Sequence, residues 1–149
     1  RSKGDGQLMT IKPEDYDIGA HYQHWVGDTA EDNLGPFFFV MEGENPRSAF
    51  RVQKHHCNAH NTLHGGIMMA LADYTLCLGA NGGSNTQSVV TVSCSNEFIA
   101  PAQLGDLVEG HAKVLKRGGS IVFVRCELRV NEKIILNSSG VIKRIRLES

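Results

Sequence analysis

No two cysteines of this chain stand at CxxC spacing; Cys57, Cys77, Cys94 and Cys126 are scattered singly. That pattern fits neither a zinc ribbon nor a disulfide framework, and reduced thiols in a cytoplasm are the expectation it leaves. Charge of one sign is also missing: 15 Lys and Arg against 16 Asp and Glu give a net charge of −1. Without a basic excess there is no bulk attraction for a nucleic acid. No apolar run is long enough to span a bilayer, the longest being Gly65 to Ala80 with Asp73 inside it, and no segment has the order of a signal peptide. A soluble protein with no membrane partner is expected. Internal repeats, low-complexity tracts, a phosphate loop and a dinucleotide fingerprint are absent too, and the glycines after the apolar run read as a helix stop.

What is present is ordinary globular material. The 149 residues, 41% apolar and 21% charged, suit one domain able to bury roughly 68–70% of its unfolded surface. Residues 1–35 are polar and broken by Pro13, Gly19, Gly27 and Gly35, which predicts an N-terminal extension with a short helix or turn around Glu14 to Val26. Residues 36–149 carry the domain proper. Phe37 to Met41 and Ser48 to Gln53 read as strands around a turn at Glu42 to Pro46. GGIMMALADYTLCLGA from Gly65 to Ala80 is apolar nearly all round, hence a buried helix, closed by Gly79 with Gly82 and Gly83 beyond. Four Val- and Ile-rich segments follow with short turns: Ser88 to Asn96, Leu107 to Leu115, Ser120 to Val130 and Lys133 to Leu147. The order predicts an α+β domain whose antiparallel sheet curls around one central helix.

Asp73 is the only carboxylate in the apolar helix, where an unpaired charge is expensive and needs a reason. It serves either a polar interface or catalysis. Upstream, His64-Gly65-Gly66 places two glycines at the helix start, where bare backbone N–H groups can approach a carbonyl oxygen or oxyanion. Acyl transfer needs both a base or nucleophile and a stabiliser of negative charge. His64 and Asp73 are nine residues apart, about 13.5 Å along a helix, so one chain cannot bring both to one carbonyl. A two-fold dimer with antiparallel helices would.

The string NAHNTLHGG from Asn58 to Gly66, followed by Leu71-Ala72-Asp73, resembles the signature of the hotdog-fold acyl-CoA thioesterases of the phenylacetate-pathway (PaaI-like) type, in the 4-hydroxybenzoyl-CoA thioesterase superfamily. The likeness covers roughly residues 36–147, including Phe98, Pro101-Ala102, Gly105-Asp106 and Gly118-Gly119. It implies a hotdog fold and hydrolysis of an acyl- or aryl-CoA to the free acid and CoA. The implied catalytic positions are Asp73 as nucleophile or general base from a partner subunit, and a backbone N–H of Gly65 or Gly66 on the thioester carbonyl. Asn58 would hold water or the thioester, Thr91 would place the lytic water, and His64 would orient the loop or helix start. Where the family commonly has Pro after the asparagine and Gly three before the histidine, this chain has Ala59 and Asn61, and Asn tolerates the left-handed conformation.

Residues 105–149 carry nine basic and five acidic side chains, a +4 segment suited to the phosphates of coenzyme A. The resemblance places those phosphates near Lys116, Arg117, Gly118, Gly119 and Ser120, and near Lys143, Arg144 and Arg146. CoA is part of the substrate, and no separate cofactor or metal is expected: His55 and His56, read as neighbours on a strand, would point to opposite faces. An acyl pocket is expected between subunits, from Met68, Met69, Tyr74 and the Phe37 to Phe39 strand. A homodimer follows from the shared site, and a dimer of dimers is a further expectation. The rival readings are a noncatalytic acyl-CoA-binding hotdog protein and a hotdog dehydratase or hydratase.

Overall fold

A computed structural model describes residues 10–42, 45–82, 84 and 87–146. In chain order its elements are β1 (Gln23–His24), α1 (Thr29–Leu34), β2 (Phe38–Glu42), β3 (Asn45–Arg51), α2 (Gly65–Asn81), β4 (Gln87–Phe98), β5 (Leu107–Arg117), β6 (Ile121–Val130) and β7 (Lys133–Arg146). The strands form one seven-stranded antiparallel sheet in the order β1-β2-β3-β5-β6-β7-β4. The long helix α2 packs across the sheet, touching β3, β4, β5, β6 and β7. This is the hotdog arrangement, and no described helix is long and apolar enough to cross a membrane.

α2 forms because its residues are good helix formers and both ends are capped. His64 is the N-cap, its ring accepting the Gly66 N–H, and Gly82 takes a left-handed conformation (φ 61°) at the C-terminus. The helix therefore runs past Gly79, its expected stop, to Asn81. Gly79 instead lies inside α2, where a Cβ would meet Ala112 and Val124 at 3.0–3.1 Å; its missing side chain lets the helix close on the sheet. Leu71, Ala72, Leu76 and Ala80 are buried against Phe50, Val108, Val124, Leu128, Leu136 and Ile142. Each large side chain contributes about 1.5–3 kcal/mol of transfer free energy. Asn61, in the loop before α2, takes φ 61°, the left-handed conformation expected to be tolerable there.

The N-terminal region departs from expectation. Where a short helix or turn is expected around Glu14 to Val26, a 3-10 turn forms at Pro13–Tyr16, ended by Asp17 at φ 57°; the departure is the short strand β1 that follows. The α-helix starts later because Asp28 caps it, its Oδ1 accepting the Glu31 N–H at 3.0 Å. Likewise His55 and His56 sit on a 3-10 turn, not a strand. The His56 ring is buried, its Nδ1 accepting the Gln53 N–H at 2.8 Å and its Nε2–H donating to the Gly35 carbonyl at 3.0 Å. Part of the turn expected at Glu42 to Pro46, together with Gly83 and Leu147, lies outside the described residues.

Candidate active site

The structure sorts the predicted residues into two groups at opposite ends of one stretch of α2. The first is the loop and first turn. Asn58 Oδ1 accepts three hydrogen bonds, from the backbone of His60 (2.9 Å) and Thr62 (3.2 Å) and from the Thr62 hydroxyl (3.1 Å). That carbonyl oxygen is therefore committed to shaping its own loop. His64 Nδ1 accepts the Gly66 N–H at 2.9 Å, which leaves the proton of a neutral ring on Nε2. Of the two glycines expected to offer an N–H, Gly66 is thus already engaged. Gly65 N has no partner among the described hydrogen bonds, and it stands at the first position of the helix, where such donors are left bare.

The second group surrounds Asp73. The Thr91 hydroxyl donates to Asp73 Oδ1, and Cys77 Sγ lies 3.4 Å from Thr91 Oγ1. The β4–β7 register shifts between Thr91 and Ser93, so a bulge at Val92 follows directly on the residue that meets the helix. Asp73 lines a cavity of about 530 Å³ with Trp25, Asp28, Glu31, Tyr74, Cys77, Thr91 and neighbours on β4. Burial pushes the Cys77 thiol up to about 12, an inert thiol as expected. Burial, followed by the neighbouring Asp28 and then Asp73 and Asp32, lifts Glu31 to about 8. Eight residues separate Gly65 from Asp73, about 12 Å along the axis, so a single chain does not bring the two groups together.

Glu31 and Asp28 were missed in the sequence. Their signal was an acid followed three residues later by a glutamate, the pattern of a helix start, in a segment read as extension. Of the expected acyl-pocket residues only Tyr74 lines this cavity. Met68 is buried in the core, Met69 is 42% exposed, and Phe37 packs its ring against Phe50 and Tyr74.

The basic residues divide as well. Arg117 donates to the Ala80 and Gly79 carbonyls at the end of α2, where a cation also meets the negative end of the helix dipole. Arg144 donates to the carbonyls of Gly118 and Gly119, and its backbone N–H to that of Ser120, fastening the β5–β6 turn to β7. Both guanidiniums thus hold backbone in place, while Lys116 and Lys143 are exposed and have no ion-pair partner among the described residues. The Arg146 side chain lies outside the described residues. No three His, Cys, Asp or Glu side chains converge on a metal-sized site among the described residues.

Residues 60–134 match the family model described as "Thioesterase superfamily". The chain is 35% identical over 112 residues to PA0474 of Pseudomonas aeruginosa, which is named only as a candidate esterase; the match spans 74% of this chain and 84% of that one. It is 31% identical over 78 residues to human acyl-coenzyme A thioesterase 13, spanning 52% of this chain and 56% of the human protein. The fold is shared with the E. coli PaaI protein of the phenylacetic acid degradation operon at a TM-score of 0.72, with 22% identity, covering 80% of this chain and 86% of the other.

Proposed function

The chain belongs to the thioesterase superfamily, and from that premise we propose that it hydrolyses an acyl- or aryl-CoA thioester at a site built by two copies of itself. The observation that carries this reading is the open edge of β4. This twelve-residue strand pairs with β7 on one side only, at the end of the sheet, and Val90 and the bulged Val92 are exposed along it. A long uncovered edge strand is a template for a second strand. Pairing β4 with its two-fold copy would set the two α2 helices side by side and antiparallel, since α2 packs against β4. Gly65 of one chain would then approach the partner subunit's Asp73.

In that site the Gly65 N–H, with the positive end of the α2 dipole behind it, polarises the thioester carbonyl. The partner subunit's Asp73 attacks the carbonyl carbon or takes a proton from an attacking water. The C–S bond then breaks and CoA leaves as the thiolate, which is protonated from solvent; where Asp73 itself attacks, water then cleaves the mixed anhydride, releasing the free acid and restoring the carboxylate. Thr91 holds the Asp73 carboxylate in position, and Asn58 and His64 hold the loop that presents Gly65. Lys116, Arg117, Gly118, Gly119, Ser120, Lys143, Arg144 and Arg146 would receive the CoA phosphates, Lys116 and Lys143 with their charges free to do so. Coenzyme A enters as part of the substrate, and no other cofactor is required. Residues 36–149 hold the hydrolytic machinery, and residues 1–35 add α1 as a wall of the cavity. Two such dimers would pair into a tetramer. The four free thiols suit a reducing cytoplasm.

Mixed dimers test the reading. Asp73→Asn and Gly65→Pro chains should each be inactive as homodimers in a free-thiol release assay. Mixed dimers should regain about half the wild-type rate, because one of their two sites combines an intact Gly65 with an intact Asp73. No recovery would place the site within one chain. Binding of CoA esters without thiol release, even by the wild type, would favour a noncatalytic binding protein.

A further inference from the structure

The thiol of Cys77 stands beside Asp73 and has no part in the hydrolysis described above. It follows Asp73 by one helical turn, so both side chains leave α2 on the side that meets β4. Cys77 Sγ lies 3.4 Å from Thr91 Oγ1 and 4.0 Å from Asp73 Oδ1, and the Thr91 hydroxyl in turn meets Asp73 Oδ1. The donor and acceptor roles of these three groups follow by elimination. A carboxylate only accepts, and Thr91 has a single proton to give. A hydrogen bond to a carboxylate is stronger than one to a sulfur, so that proton goes to Asp73. The Thr91 oxygen is left as an acceptor. Burial keeps the Cys77 thiol protonated at neutral pH, and the charges of Asp73 and Glu31 act in the same sense. A thiol held in that state is a poor nucleophile, and it always has a proton to donate.

We propose that Cys77 is a positioning residue: its S–H donates to Thr91 Oγ1 and so turns the Thr91 hydroxyl onto Asp73 Oδ1, which fixes the carboxylate with Oδ2 toward the thioester. This rests on the thioesterase reading and adds a residue to it. No bond to Cys77 forms or breaks in the reaction. Asp73 Oδ2 has no partner among the described hydrogen bonds, as an oxygen that attacks or takes a proton requires. Without the thiol, the Thr91 hydroxyl loses the donor behind it and is free to rotate away from Asp73. The carboxylate then loses its anchor, and the loss falls on the chemical step rather than on the binding of CoA.

The test is a double-mutant cycle read by steady-state kinetics, on whichever of acetyl-, hexanoyl-, palmitoyl- and phenylacetyl-CoA the wild type turns over fastest. Cys77→Ala should lower kcat by about twofold to tenfold, the range for one lost hydrogen bond, with KM unchanged. Cys77→Ser restores a donor and should recover most of that loss. In a Thr91→Val background, Cys77→Ala should change kcat by less than about twofold, because the hydroxyl it orients is gone. An equal fall in both backgrounds would overturn the proposal, since Cys77 would then act without Thr91. So would wild-type kcat in Cys77→Ala, or a Cys77→Ser enzyme no better than Cys77→Ala, and each of these outcomes leaves the thioesterase reading standing. If Cys77→Ala fails a thermal-melt check of folding, Cys77→Val, which fills the space without a donor, takes its place in the cycle. Release of thiol from none of the four esters by the wild type would remove the thioesterase reading and the role of Cys77 with it.

Discussion

Gly65 is the residue whose chemistry can be isolated most cleanly. It occupies the first position of α2, and His64 before it has φ −63° and ψ 134°, the extended conformation that a following proline requires. Gly65→Pro should therefore keep the helix and delete only the N–H, lowering kcat by about 10²- to 10³-fold, the usual effect of losing one oxyanion donor. Gly65→Ala keeps the N–H and asks only the exposed Phe98 ring, 3.2 Å from the new Cβ, to shift. Its kcat should stay within a few-fold of wild type, and steady-state kinetics on the pair separates donor from bulk. Asp73→Asn should cost at least about a thousandfold in kcat, with the folded state intact by circular dichroism; retained turnover would remove Asp73 from the mechanism. Glu31 predicts a pH effect on stability. Its pKa is raised from 4.5 to about 8 in the folded state, so between those values the native state binds the extra proton. Stability should then fall as pH rises through that window, the groups facing Glu31 being Asp28, Asp73, Asp32 and Tyr74. Melting temperatures of Glu31→Gln from pH 4.5 to 8 should decline less than those of wild type.

At the scale of elements, α2 and β5 are fitted through the absence of a side chain. A Cβ at Gly110 on β5 would run into the hydroxyls of Ser48 and Thr75, which are buried and hydrogen-bonded to each other at 2.7 Å. Gly110→Ala should destabilise the protein by about 1–3 kcal/mol, the usual cost of overpacking, as read from urea midpoints at unchanged slope. The periodicity of α2 made it readable as a buried helix, and the Val- and Ile-rich segments made β4 to β7 readable as strands. The N-terminal elements were not, because a 3-10 turn of four residues and a strand of two carry too few side chains to show a period.

For the whole molecule, the proposed shared site would make activity depend on association through the open β4 edge. Val92 stands 59% exposed at the bulge beside Thr91. Val92→Lys places a charge on that edge, the device by which sheets resist pairing. Sedimentation should show a shift toward monomer with a parallel loss of turnover, and a fully active monomer would contradict a shared site. Helix rise keeps Gly65 and Asp73 about 12 Å apart along one chain, so a site that uses both needs a second copy.

Local chemistry was written in the sequence: a carboxylate in an apolar helix, glycines at its start, a loop asparagine and strand-forming runs can all be recognised from residue type and spacing. So could the fold, because one buried helix followed by four antiparallel strands has few ways to close a core. Only the tertiary structure decided which glycine N–H stays free, since that depends on the rotamer of His64. It alone brought Thr91, eighteen residues on, to Asp73, and turned Arg117 and Arg144 toward carbonyls. It also carried α1 across the chain to set Glu31 beside the cavity. These are contacts between residues distant in sequence, and no local pattern encodes the direction in which a side chain meets a partner supplied by another element.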